Sequence, residues 1–178
     1  MAQPTDTARL FFAAWPAPEV QRALSEIAHG AQRECGGRAV PAGNIHLTLV
    51  FLGDIPREHA LDLEALAAAI SASRFAMSVD CLEYWRHNRI VWAGMEECPQ
   101  ALQTLVAQLQ QALAAAEFHF DRRPYVPHIT LLRNARGAPA DRRCPAVPWP
   151  VSEFALVESV QQERGRAYAV LRRWPLHP

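Results

Sequence analysis

The sequence predicts an α+β fold: two pseudo-symmetric lobes of mainly antiparallel sheet, with flanking helices around a central cleft. Three observations carry that reading. Strand and helix signals mix without strict β-α-β alternation, which disfavours a doubly wound parallel sheet. Hairpin signals occur in both halves of the chain. One tetrapeptide occurs twice, His46-Leu47-Thr48-Leu49 and His128-Ile129-Thr130-Leu131, near the centre of each half. A chain of 178 residues, 50% hydrophobic and 20% charged, is long enough to bury one substantial core. A single domain spanning 1–178 is therefore expected, with lobes contributed by roughly 1–95 and 96–178.

Each element follows from local pattern. Arg9 to Trp15 is an aromatic-rich strand stopped by Pro16. Residues from about Pro18 to Arg33 carry helical spacing at Val20, Leu24, Ile27 and Ala28. The first motif lies in the apolar run 45–52, read as a buried strand, and Ile55-Pro56-Arg57-Glu58 opens a helix reaching about Ser71 with Leu61, Leu63, Leu66, Ala67 and Ile70 inward. Partial alternation over 75–86, the His87-Asn88 turn and the return strand Arg89-Ile90-Val91-Trp92-Ala93-Gly94 predict a hairpin. From Pro99 to about Glu117, Leu102, Leu105, Val106, Leu109 and Leu113 form one stripe, the clearest helix in the chain. The second motif strand follows over 125–132. The proline-rich stretch Asn134 to Pro150 reads as a long loop. Strands over 151–158 and 167–174 flank the turn Glu163-Arg164-Gly165 and close the fold.

Composition excludes several functions. Eighteen basic and eighteen acidic residues balance to zero net charge, so no global field draws a long polyanion. Every basic residue is Arg, which removes Schiff-base, P-loop and lysyl-nucleotide chemistry. Cys35, Cys81, Cys98 and Cys144 form no C-x-x-C pair and read as free structural thiols. There is no H-E-x-x-H and no His/Asp/Glu cluster at ligand intervals, so no metal site is expected. The polar start Met1–Thr7 lacks an apolar leader, and no run approaches the ~18 apolar residues of a membrane span, so a cytoplasmic protein is expected.

The repeated tetrapeptide carries the functional signal. Because side chains alternate along a strand, each copy presents an imidazole beside a hydroxyl. A single His in an apolar strand is most often a packed core residue. A second copy in similar surroundings argues against packing, which favours Val or Leu at inward positions. Two imidazoles can be held one neutral and one protonated, giving a general base and a general acid for in-line phosphoryl displacement. Threonine hydroxyls would then donate to the nonbridging oxygens. His29, His59, His87, His119 and His177 have no Thr two positions on and read as ordinary surface residues.

The pattern resembles the 2H phosphoesterase superfamily, named for paired His-x-Thr motifs, and within it the RNA 2′,3′-cyclic phosphodiesterases once called 2′-5′ RNA ligases. Besides the tetrapeptides, the segments 9–13, 44–53, 127–133 and 156–159 look like that family in the expected order. The resemblance implies metal-independent opening of a 2′,3′-cyclic phosphate at an RNA end or on a nucleotide, leaving a 2′-phosphate; no cofactor, no membrane partner and a monomeric chain are expected. The residues alone do not order acid and base. The resemblance gives His46 to the leaving O3′, His128 to the attacking water, and Thr48, Thr130 and Arg133 to the phosphate. Strand parity puts Arg133, five residues after His128, on the opposite face unless the strand ends or bulges near Leu132. Phe11, Phe12 and Tyr125 are candidates for base stacking, although aromatic residues in strands are more often core. An alternative function for the same cleft is 2′-5′ end-joining or RNA-end binding.

Overall fold

A computed structural model describes residues 6–163 and 165–178. Residues 1–5 and Arg164, which include most of the polar start and the middle of the closing turn, lie outside the described residues. Nine strands and three α-helices follow one another among those described, interrupted by one-turn 3-10 segments at Ala42–Asn44 and Arg57–His59. Strand β1 is Thr7–Ala14, helix α1 Pro18–Cys35, β2 Arg38–Ala39, β3 Leu47–Pro56 and α2 Ala60–Ala68. Then come β4 Phe75–Trp85, β5 Ile90–Gly94, α3 Gln100–Ala115, β6 Ile129–Arg133, β7 Arg143–Val151, β8 Glu153–Gln162 and β9 Gly165–Pro175. One sheet has the order β3-β1-β8-β9 and the other β2-β6-β5-β4-β7. Every pairing between these strands is antiparallel. The α+β class, with two antiparallel lobes and flanking helices, is therefore what the chain adopts.

The lobes do not divide near residue 95. The free edge of β1 is taken by β8, so the C-terminal hairpin completes the first sheet, while β4 and β5 from the first half join the second. Helices cross over as well: α1 packs on β6 and β7, and α3 on β3. The physical reason is edge satisfaction, since an antiparallel strand left with an unpaired row of N–H and C=O groups recruits whichever strand fits. One continuous apolar core results, running from Leu10 and Phe12 through Leu24 and Leu105 to Leu131 and Trp149.

Local patterns explain the elements and their deviations. The stripe Leu102, Leu105, Val106, Leu109 and Leu113 on α3 is fully buried, as helical period demands. On α2 only Leu63 and Ala67 are buried, and Leu61 is 74% exposed. That helix also starts late, because Ile55 and Pro56 continue β3 opposite Ala8 and Thr7. Proline is tolerated there since β3 is an edge strand and Pro56 its last residue. The expected loop 134–150 contains strand β7. Its Val147, Trp149 and Val151 point inward while Pro148 and Pro150 face out. This too is an edge strand, pairing only with β4, the position in a sheet where proline is tolerated. All four cysteines are free, and burial pushes the thiols of Cys35, Cys81 and Cys144 up. Among the described residues no helix is long and apolar enough to cross a membrane.

Candidate active site

Both histidines sit one residue before their strands, His46 ahead of β3 and His128 ahead of β6, rather than within them. Each ring is held by its own backbone in the same way. His46 Nδ1–H donates to the Asn44 carbonyl at 2.7 Å, and His128 Nδ1–H donates to the Val126 carbonyl at 2.8 Å. A carbonyl only accepts, so Nδ1 carries hydrogen in both rings and Nε2 is the atom left for chemistry. The turn bearing His46 is tied down in turn: Asn44 Nδ2 donates to the Arg166 carbonyl at 2.9 Å, and Gln21 Nε2 to the Ile45 carbonyl at 3.4 Å.

The duplication extends beyond the tetrapeptide into the backbone. On β3, Thr48 pairs with Ala13 and Val50 with Phe12, so Leu49 is an extra residue. On β6, Thr130 pairs with Trp92 and Leu132 with Val91, so Leu131 is an extra residue. The same motif leucine is a β-bulge in both copies. Each bulge lets two successive residues enter the core, Leu49 with Val50 and Leu131 with Leu132, and reverses the side-chain parity beyond it. The position five after each histidine therefore returns to the histidine face. In the first copy it is Phe51, packed with Phe11, Ala13, Ala155 and Val157 on the sheet face away from the main core. In the second copy it is Arg133, whose charge bears on both histidines. A regular strand would have turned that guanidinium away.

The segment between α3 and β6 brings the two copies together. It runs along the free edge of β3, where Asp121 N–H donates to the Phe51 carbonyl at 2.9 Å. Tyr125 Oη–H donates to the Thr48 carbonyl at 3.2 Å, three residues before His128. Tyr125 is thus a tie between the motifs, and burial pushes its hydroxyl pKa up. Phe12 is wholly in the core. Of the three aromatic candidates only Phe11 touches a motif histidine, its ring 5.0 Å from that of His46.

Aromatic walls that the motif did not announce surround each imidazole. Trp15 lies parallel to His46 with ring centroids 5.1 Å apart and planes 4° apart, and Tyr168 meets the same ring edge-on at 4.9 Å. Trp85 packs edge-on to His128 at 4.5 Å and Trp92 at 6.2 Å. The signal for Trp15 was available: it follows Phe11 and Ala13 at two-residue spacing, on the face that Thr48 shares through its pairing with Ala13. Tyr168, Trp85 and Trp92 arrive from distant segments with no motif to mark them.

Burial among these rings disfavours a charged imidazole. Desolvation lowers the pKa of His46 from 6.5 to about 4, partly offset by the Asn44 carbonyl, with Arg133 and His128 depressing it further. Desolvation also lowers that of His128, against the Val126 carbonyl, with Arg133 and Arg123 adding to the depression. Protonating His128 therefore disfavours protonating His46, as expected for two imidazoles sharing one site. His29, His59, His87, His119 and His177 are all exposed. Among the described residues no group of three or more His, Cys, Asp or Glu is arranged to hold a metal ion.

Two antiparallel sheets, each carrying a His-x-Thr copy whose imidazole is held at Nδ1 by its own backbone and whose leucine bulges, define the class: an α+β protein with a duplicated histidine motif. Residues 16–165 match the model of one family, and the chain belongs to it: the 2′-5′ RNA ligase superfamily. It is 39% identical over 143 residues to an RNA 2′,3′-cyclic phosphodiesterase of Escherichia coli, covering 79% of this chain and 80% of that one. It is 33% identical to the Thermus thermophilus protein of the same name, covering 94% and 90%. The crystal structure of E. coli LigT complexed with 3′-AMP superposes with a TM-score of 0.88 at 33% identity, covering 96% of this chain and 99% of that one.

Proposed function

We propose that the protein hydrolyses the 2′,3′-cyclic phosphate of an RNA end or nucleotide to a 2′-phosphate, without a metal ion, using His46 and His128 as acid and base. The observation that carries this reading is the matched presentation of two imidazoles, both holding Nδ1–H on an i−2 carbonyl with Nε2 unspent. Water attacks phosphorus as His128 Nε2 accepts its proton. The P–O3′ bond breaks, and Nε2–H of His46 protonates the departing O3′. The reaction leaves His128 protonated and His46 neutral, and proton exchange with solvent restores the pair. Thr48 and Thr130 donate to the nonbridging oxygens, and Arg133 offsets their charge.

The low pKa of His46 fits this assignment once the substrate is counted. In the empty site His46 is neutral at pH 7. A phosphate anion beside it opposes the charge of Arg133 and favours the imidazolium, so the substrate itself helps load the acid. The curated relatives named above are RNA 2′,3′-cyclic phosphodiesterases, which supports the substrate class.

Product analysis is the direct test. Turnover of a nucleoside 2′,3′-cyclic phosphate in EDTA, with only the 2′-phosphate formed, is the expected result. His46→Ala and His128→Ala each lower kcat by the ~10²–10⁴-fold of lost proton transfer. A 3′-phosphate product, or full activity in either variant, refutes the roles. The same groups run backwards join 2′-5′ ends, a reading favoured by the ligase description of the family. Joining that outpaces hydrolysis at equal RNA concentration would establish it instead.

A further inference from the structure

We propose that a strip of arginines leading away from Arg133 binds the phosphodiester backbone of the RNA strand carrying the cyclic end, so that the preferred substrate is an oligonucleotide rather than a lone nucleotide. The inference rests on the function proposed above and extends it to the strand behind the reacting phosphate.

The strip begins where β2 meets β6. Arg38 lies directly opposite Arg133 across that pair, like charges placed where they repel unless an anion lies over them. Beyond Gly37 the next guanidinium is that of Arg136, which lies over Gly36 so closely that a Cβ there would come within 2.9 Å of its Nε. The backbone N–H of Arg136 donates to the Cys35 carbonyl at 2.8 Å, fixing its place. Arg136 then lines a depression of about 570 Å³ with Arg86, Arg89, Tyr84, Gly137 and Ala138. Arg86 and Arg89 come from the turn between β4 and β5, at the same end of the sheet as Arg133.

Charge and strain both mark this strip as built for an anion. Among the described residues, Arg38, Arg86, Arg89, Arg133 and Arg136 pair with no carboxylate, as is also true of Arg22, Arg33, Arg74, Arg122 and Arg166 elsewhere, while seven arginines do pair; what sets the five apart is that they lie together. Glu34 lines a neighbouring depression that shares Arg136, and its carboxylate accepts from the Ala140 N–H. Arg89 holds φ +58°, a left-handed conformation that Gly or Asn would adopt at lower cost. Its guanidinium instead donates to the Ala135 carbonyl at 3.2 Å and the Asn134 carbonyl at 3.3 Å, neutral groups that orient the charge without cancelling it. In a chain with no net charge, such a concentration is local by arrangement.

The test compares two substrates and one variant. The substrates are a nucleoside 2′,3′-cyclic phosphate and a short single-stranded RNA ending in the same group. The variant is Arg86→Gln/Arg89→Gln/Arg136→Gln. The wild type is expected to favour the RNA. The variant loses about tenfold or more in kcat/KM on the RNA and nothing on the nucleotide. Binding of a 2′-phosphorylated RNA, read by fluorescence anisotropy, should lose about 2 from its slope of log K against log salt, at ~0.7 per phosphate contact. Because Arg89 also supports its turn, the double variant Arg86→Gln/Arg136→Gln is run alongside, with a smaller loss expected in the same direction. Unchanged RNA kinetics and an unchanged salt slope in both variants overturn the proposal. If the wild type opens no cyclic phosphate at all, the function proposed above fails, and the anisotropy slopes still decide the strip.

Discussion

Replacing His46 by Asn isolates one titrating group whose effect on stability follows from its surroundings. Asparagine Nδ2 sits where the imidazole Nδ1 was and can keep the bond to the Asn44 carbonyl. The unfolded chain takes up a proton at His46 near pH 6.5, but the folded chain does not until about 4, because burial among Trp15, Phe11 and Tyr168 penalises the charged ring. Above pH 6.5 both states are neutral and the group contributes nothing to the pH dependence. As pH falls from 6.5 towards 4 the unfolded state alone binds the proton, so stability is lost, and the loss levels off below 4. At ~1.4 kcal/mol per pH unit the penalty reaches about 2 kcal/mol at pH 5 and about 3 kcal/mol at pH 4. Urea unfolding of wild type and His46→Asn at pH 7.5, 6, 5 and 4 measures it. The variant loses its Trp15 stacking and starts lower, yet its stability falls less steeply with acid, and the two curves converge. Curves that stay parallel would show that His46 titrates in the folded protein as it does in the unfolded chain.

Three further outcomes are expected. Arg133→Gln removes a positive charge that depresses both imidazoles, so both limbs of the pH profile of kcat/KM, which lie below 6.5 in the wild type, move to higher pH. Limbs that stay in place while the rate falls would mean that Arg133 acts on substrate alone. A substrate with sulfur in place of the bridging O3′ needs little protonation on departure, so it should restore turnover to His46→Ala and not to His128→Ala; the opposite pattern would exchange the acid and base roles. Gly37→Ala places a Cβ 2.6 Å from the Arg133 carbonyl oxygen at φ +81°, a cost on the order of 2–4 kcal/mol. Its melting temperature should drop by about 5–10 °C, whereas Gly43→Ala, with nothing within 4 Å, should melt with the wild type.

How legible the chain was depends on the range of the interaction concerned. The amphipathic stripe of α3, the hairpin of β4 with β5 and the two His-x-Thr pairs are written in spacings of two to four residues, and local periodicity is enough to read them. Strand β7 was obscured because Pro148 and Pro150 look like loop residues until β7 is seen to be an edge. The walls around His46 and His128 were hidden for another reason. Tyr168 and Trp85 are far from their histidines in sequence, and nothing short-range marks them as partners.

The sequence by itself determined the α+β class, the paired imidazoles and hydroxyls, and the exclusion of lysine chemistry, because each depends on residue identity and short-range order. Tertiary structure alone decided how the strands are shared between the sheets, that the leucine of each motif bulges, and which way Arg133 points. Those outcomes turn on hydrogen-bond register between strands distant in the chain. A shift of one residue in that register exchanges the buried and cleft faces, and no local pattern records it.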